Sequence, residues 1–126
     1  MKLEDIEVNF SFTDADDVER FENAAKKVYE EAEKNKKKEM NASEIIREEC
    51  NIIEEFFNSV FGEGISNKLF NEKKDIVEHI KLFEDIVKAK VEATKDIQNI
   101  YDNIENSDRY KPNRETRRYN NYKGRK

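Results

Sequence analysis

Between residues 6 and 12 the chain alternates strictly, with Ile6, Val8, Phe10 and Phe12 on one side and Glu7, Asn9 and Ser11 on the other. A period of two in β-branched and aromatic residues predicts a half-buried strand over 6–12. No other segment alternates as well. The apolar side of this strand is therefore expected to pack on helices, and its open edge to pair with another copy or another protein. From residue 13 onward the period changes to threes and fours. Thr13 and Asp14 open a helix, and Asp14, Asp16 and Asp17 lie where side-chain oxygens and negative charge suit the first turn. Val18, Phe21, Ala25, Val28 and Ala32 then form one stripe of a helix running to about Lys36, whose lysine run (Lys36, Lys37, Lys38) suits a solvated C-terminus.

Asn41 followed by Glu44 forms a capping box, so a second helix starts there. Ile45, Ile46, Cys50, Ile53, Phe56, Phe57, Val60 and Phe61 give it the widest apolar face of the chain, and Gly62 stands where a helix-ending glycine belongs. This face is the expected centre of the core, the alternative being an exposed aromatic patch for a partner helix. A turn at Gly62-Glu63-Gly64 leads to a short helical segment, capped by Ser66, through Leu69 and Phe70. A long helix follows from about Lys74 to Ile104, on the stripe Ile76, Ile80, Phe83, Val87, Val91, Thr94, Ile97, Tyr101 and Ile104. At about 1.5 Å per residue it reaches roughly 45 Å, longer than a domain of this size requires. Its far half packs either on a second chain, as the near-heptad spacing suggests, or within a plain monomeric bundle. The predicted fold is mostly α: a three-helix core with a long C-terminal helix, one N-terminal β-strand and a flexible basic tail.

Composition agrees with long helices. Of 126 residues 42% are charged, and there are three Gly and one Pro. No apolar run approaches the ~18 residues a membrane span needs, and MKLEDIEV lacks a signal-peptide core, so a soluble protein in a reducing cytoplasm is expected. The single cysteine, Cys50, fits a small buried hydrophobe with no basic neighbour to activate it.

Little in the chain points to chemistry. The lone histidine, His79, falls beside the stripe of the last helix and reads as a boundary residue. HExxH, a glycine-rich phosphate loop and GxSxG are all absent from the sequence. Adjacent acids such as Asp16-Asp17, Glu48-Glu49 and Glu54-Glu55 diverge by about 100° on a helix and read as a solvated face. No enzyme activity, metal or cofactor is expected.

The charge distribution is more informative. Residues 109–126 carry eight Lys/Arg and one acid, +7, so with a total of −5 the first 108 residues carry −12. An acidic helical domain (1–108) and a basic disordered arm (109–126) are therefore expected. In the arm, Arg114, Arg117 and Arg118 combine with Tyr110, Tyr119 and Tyr122, pairing guanidinium forks with aromatic rings. Such a set suits an acidic protein surface or nucleic acid. The acidic body repels phosphate and the arm carries few charges, which favours a protein partner. Folding back onto the acidic body is a third option.

The order strand, DAD, amphipathic helix, SEIIREECNIIEEFFNSVFGEG, long helix and YKPNRETRR resembles a family of small proteins from the tail-morphogenesis region of Gram-positive phages and prophages. The resemblance covers essentially the full chain, and FFNSVFGEG (Phe56 to Gly64) and PNRETRR (Pro112 to Arg118) are its most specific pieces. It implies a non-enzymatic assembly role, such as a tail assembly chaperone acting in the host cytoplasm or travelling with the virion, and no catalytic residue. The residues expected to bind the partner are Arg114, Arg117, Arg118, Tyr119 and Tyr110, and a homo-oligomer is expected. The alternative is an acidic inhibitor whose −12 body mimics nucleic-acid phosphates in the groove of a host nuclease.

Overall fold

The computed structural model describes residues 1–109. They form a short antiparallel hairpin of β1 (Lys2–Leu3) and β2 (Ile6–Glu7), then four helices: α1 (Ala15–Lys36), α2 (Ala42–Phe61), α3 (Ile65–Phe70) and α4 (Ile76–Arg109). The chain divides into two compact units, the first over residues 1–90 and the second beginning at Val91. The expected mostly helical fold with a long last helix is what the chain adopts. The expected basic arm, with Arg114, Arg117, Arg118, Tyr119 and Tyr110, lies outside the described residues apart from the backbone of Arg109.

Helix ends follow the local chemistry of the sequence. Asp14 caps α1 by accepting from the Asp17 N–H at 3.0 Å. Asp17 in turn accepts from the Ser11 N–H at 2.9 Å, which fixes how the chain enters the helix. At α2 the capping box closes in both directions: Asn41 Oδ1 accepts from the Glu44 N–H, and Glu44 Oε1 accepts from the Asn41 N–H, both at 2.9 Å. Gly62 ends α2 at φ 128° and Gly64 precedes α3 at φ 82°, conformations that favour residues without a Cβ. Ser66 is not a cap. It is buried, and its N–H donates to Asn58 Oδ1 at 2.9 Å, so a side chain of α2 supports the start of α3.

The predicted strand over 6–12 is corrected. Only Ile6–Glu7 joins a ladder, and its partner is Lys2–Leu3, with Leu3 opposite Ile6. Beyond Glu7 the backbone bonds locally: the Val8 N–H donates to the Met1 carbonyl at 2.8 Å and the Phe10 N–H to the Val8 carbonyl at 3.1 Å. The alternation still sets side-chain direction, because Val8 and Phe10 are buried while Glu7, Asn9 and Ser11 are exposed. Period two fixed the faces, but a ladder also needs a partner strand, and only two residues supply one.

The core of the first unit is aromatic. All eight phenylalanines join one network of ring contacts. Phe21 on α1 meets Phe56 on α2 at 5.3 Å between centroids, and Phe56 meets Phe57 at 5.2 Å and Phe83 on α4 at 5.0 Å. Phe10 and Phe12 extend the network into the N-terminal segment, and Phe70 brings in α3. Most contacts are edge-to-face, the arrangement the ring quadrupole favours. α1 and α2 run antiparallel, joined at one end by Asn35 donating to Glu49 at 3.4 Å and at the other by Arg20 Nε donating to the Val60 carbonyl at 3.1 Å. The expected apolar face of α2 is the core face, except that Ile45 at its first turn is 45% exposed.

Phe57 is fully buried at the middle of this network. Phe57→Ala removes a ring that nothing nearby can replace and is expected to cost about 3–5 kcal/mol, a large part of the stability of a small domain. Urea denaturation measures it, and a midpoint equal to wild type would refute the placement of the core.

Candidate functional site

Two features of the first unit stand out from the core: a buried polar cluster and an open apolar groove. The cluster centres on His79. The sequence suggested a boundary residue, and the structure corrects this, because the ring is fully buried. The buried stripe at the start of α4 is His79, Phe83 and Ile86, whereas Ile80, expected on that stripe, is 40% exposed. The helix is rotated from the apolar-only reading because the histidine takes a core position.

One face and both nitrogens of the His79 ring are engaged. It stacks on Phe70, with centroids 3.7 Å apart and planes within 10°. Nδ1 lies 2.7 Å from the Asp75 carbonyl and Nε2 lies 2.7 Å from Glu54 Oε2. A carbonyl only accepts, so Nδ1 donates to it, and Nε2 faces the Glu54 carboxyl group. The other oxygen of Glu54 accepts from Lys74 Nζ at 2.8 Å, and Lys74 also donates to Asn51 Oδ1 at 2.8 Å. Glu54 is thus a partner of a buried ring and not, as expected, part of a solvated acidic face. Asp75 Oδ1 also accepts from the Val77 and Glu78 N–H groups at 3.0 and 3.1 Å, so the residue that holds His79 through its backbone starts α4 through its side chain.

The cluster is closed, with no open position facing the ring nitrogens, which makes it a structural joint between α2, α3 and α4. Cys50 lies nearby on α2, fully buried as expected; burial first, then the neighbouring Glu54 carboxylate, pushes its thiol pKa up and leaves it protonated. Among the described residues, no group of three or more His, Cys, Asp and Glu is placed to hold a metal ion. None of their helices is long and apolar enough to cross a membrane.

The groove is the feature that can receive a ligand. It encloses about 470 Å³ between the N-terminal segment and α4. Met1, Leu3 and Phe12 form one wall, and Leu82, Ile86 and Ala89 form the other. The spacing of 82, 86 and 89 puts those three on one stripe of α4, which shares Ile86 with the stripe that fills the core. Glu4 in the hairpin turn, at φ 57°, and Asp85 stand at its rim with Lys2. The surrounding unit is acidic: residues 1–90 hold 23 Asp/Glu and 15 Lys/Arg, a net −8. Sequence reasoning did not find this groove, because Met1 and Leu3 precede the strand signal and Leu82 and Ala89 lie off the assigned stripe.

A family model described as "Family of unknown function (DUF6673)" matches residues 4–121. The chain belongs to this family. No curated protein and no solved structure matches the chain. In this DUF6673 protein, the match takes in the hairpin turn, the aromatic core, the His79 joint and six of the nine residues lining the groove, leaving out Met1, Lys2 and Leu3.

The joint makes a quantitative expectation. Glu54→Ala leaves a buried ring nitrogen without a partner and should cost about 1–3 kcal/mol. Glu54→Gln, which keeps an oxygen near Nε2, should lose less. Denaturation of the two variants and of His79→Ala, combined in a double-mutant cycle, measures the coupling. A coupling near zero would mean that the histidine and glutamate are neighbours without consequence.

Proposed function

We propose that this DUF6673 protein is a non-enzymatic phage assembly factor, of the tail assembly chaperone kind, that holds an apolar segment of a tail protein. The observation that carries the reading is the open apolar groove between the N-terminal hairpin and α4. An apolar recess of this size on a charged surface is the form that peptide-binding sites take, and aggregation-prone clients expose the segments that fill one. The net −8 of the surrounding unit favours a client whose apolar segment is flanked by Lys or Arg. The likeness of FFNSVFGEG and PNRETRR to the tail-morphogenesis family supplies the biological setting. The basic arm, with Arg114, Arg117, Arg118, Tyr119 and Tyr110, gives a second contact suited to an acidic patch on the same client.

Co-expression with a tail protein that precipitates alone tests this. The full chain should raise the soluble fraction of the client and co-purify with it. Ala89→Asp places a charge in the groove at an exposed position and should weaken binding at least tenfold while leaving the melting temperature of the body unchanged. Deleting residues 109–126 should weaken binding less at high salt than at low salt, because the arm acts through charge. Wild-type binding by Ala89→Asp would remove the groove from the mechanism. Recovery of a host nuclease in place of tail components would favour the inhibitor reading.

A further inference from the structure

The link between α3 and α4 holds two adjacent residues in the left-handed region, Asn71 at φ 55° and Glu72 at φ 62°. Asparagine tolerates that region because its short amide can bond locally, whereas a glutamate there brings its Cβ against the following carbonyl oxygen. Glu72 therefore disfavours the closed link on the order of tenfold before its contacts are counted. Those contacts lie just after it. Lys74 Nζ donates to Asn51 Oδ1 and Glu54 Oε1, both at 2.8 Å, and the Asp75 carbonyl accepts from His79 Nδ1 at 2.7 Å. Phe70, the last residue of α3, stacks on the same histidine. At the other end of α3 stand Gly62 and Gly64. Both have positive φ, and nothing lies within 4 Å of the position a Cβ would take at either, so the chain has room to bend there.

We propose that α3 is a flap, hinged at Gly62 and Gly64 and held shut by a strained latch at residues 71–75, which opens without unfolding the rest of the first unit. Opening uncovers Ile65 and Phe70, both buried, so the open state is the minor one. Cys50 reports on it. The cysteine is fully buried, directly before Asn51 and one turn before Glu54, the two residues that Lys74 grips. Releasing Lys74 and Asp75 uncovers the thiol. The flap also bears on the groove, a consequence that rests on the client-binding reading. Leu69 and Phe70 form part of the wall of a neighbouring recess of about 300 Å³, which shares Glu4, Leu82 and Asp85 with the groove. An open flap removes that wall, so an occupant that spans groove and recess holds the latch closed.

Thiol labelling of Cys50 in the full chain, followed against urea, decides the latch. Wild type should label at least tenfold faster in water than global unfolding allows, with a shallow dependence on urea, because local opening exposes little surface. Glu72→Gly relieves the strain and should slow labelling about fivefold. Lys74→Met removes the grip, keeps the stem, and should speed labelling at least threefold. Labelling that follows the global unfolding curve at all urea concentrations overturns the proposal, and so does labelling that neither variant changes. Faster labelling in Glu72→Gly overturns the strain. A co-purified tail protein should slow labelling at least threefold. If it binds and leaves the rate unchanged, the link between flap and groove is wrong while the client reading stands. If no tail protein binds, that reading fails, and the free chain still decides the latch.

Discussion

Eight phenylalanine rings in mutual contact hold the first unit together, and the remaining structure is arranged around that network. Each element contributes at least one ring or packs against one: the N-terminal segment supplies Phe10 and Phe12, α1 Phe21, α2 Phe56, Phe57 and Phe61, α3 Phe70 and α4 Phe83. A chain with 42% charged residues has few apolar positions to bury, so large rings do much of the work of closing the core, beside aliphatic residues such as Leu3, Ile53, Val60 and Ile86. Edge-to-face contacts make that core directional. A ring that meets three others at set angles leaves its helix little freedom to slide or rotate.

Polar contacts add what the rings leave unspecified. Arg20 donates to the Val60 carbonyl at the C-terminus of α2 and lies 6.0 Å over the Phe10 ring, joining α1, α2 and the N-terminal segment at one corner. Elsewhere in the core, His79 stacks on the Phe70 ring of the network and binds Glu54 of α2 and the backbone at Asp75. A buried polar group that is fully partnered narrows the number of acceptable packings, because every alternative leaves one of its atoms unpaired. The joint thus costs little in the native arrangement and much in any other.

Much of this was legible in the sequence, for identifiable reasons. Asp14, Asn41 and Glu44 act through bonds to backbone within three residues, so their capping roles are local and readable. The core face of α2 is readable because its apolar positions outnumber the polar ones that interrupt them. His79 and Glu54 were misread because their roles depend on a partner 25 residues away, which periodicity does not report. Counting apolar residues alone then selected Ile80 over His79 and turned the assigned face of α4. The hairpin was missed because two-residue strands have no period, and the groove because it is a space between elements and not a property of either.

On α4 the buried triplet His79, Phe83 and Ile86 recurs eighteen residues later as Ile97, Tyr101 and Ile104. Eighteen residues are about five helical turns, and this equal phase constrains how the length of α4 can change. The His79 joint fixes the angle of the helix about its own axis, so any residue gained or lost between Ile86 and Ile97 turns the second triplet relative to the first. One residue turns it by about 100°, whereas seven or eleven turn it by only about 20°. Relatives of this chain that keep both triplets are therefore confined to a few discrete helix lengths. Insertions and deletions in α4 should follow that arithmetic.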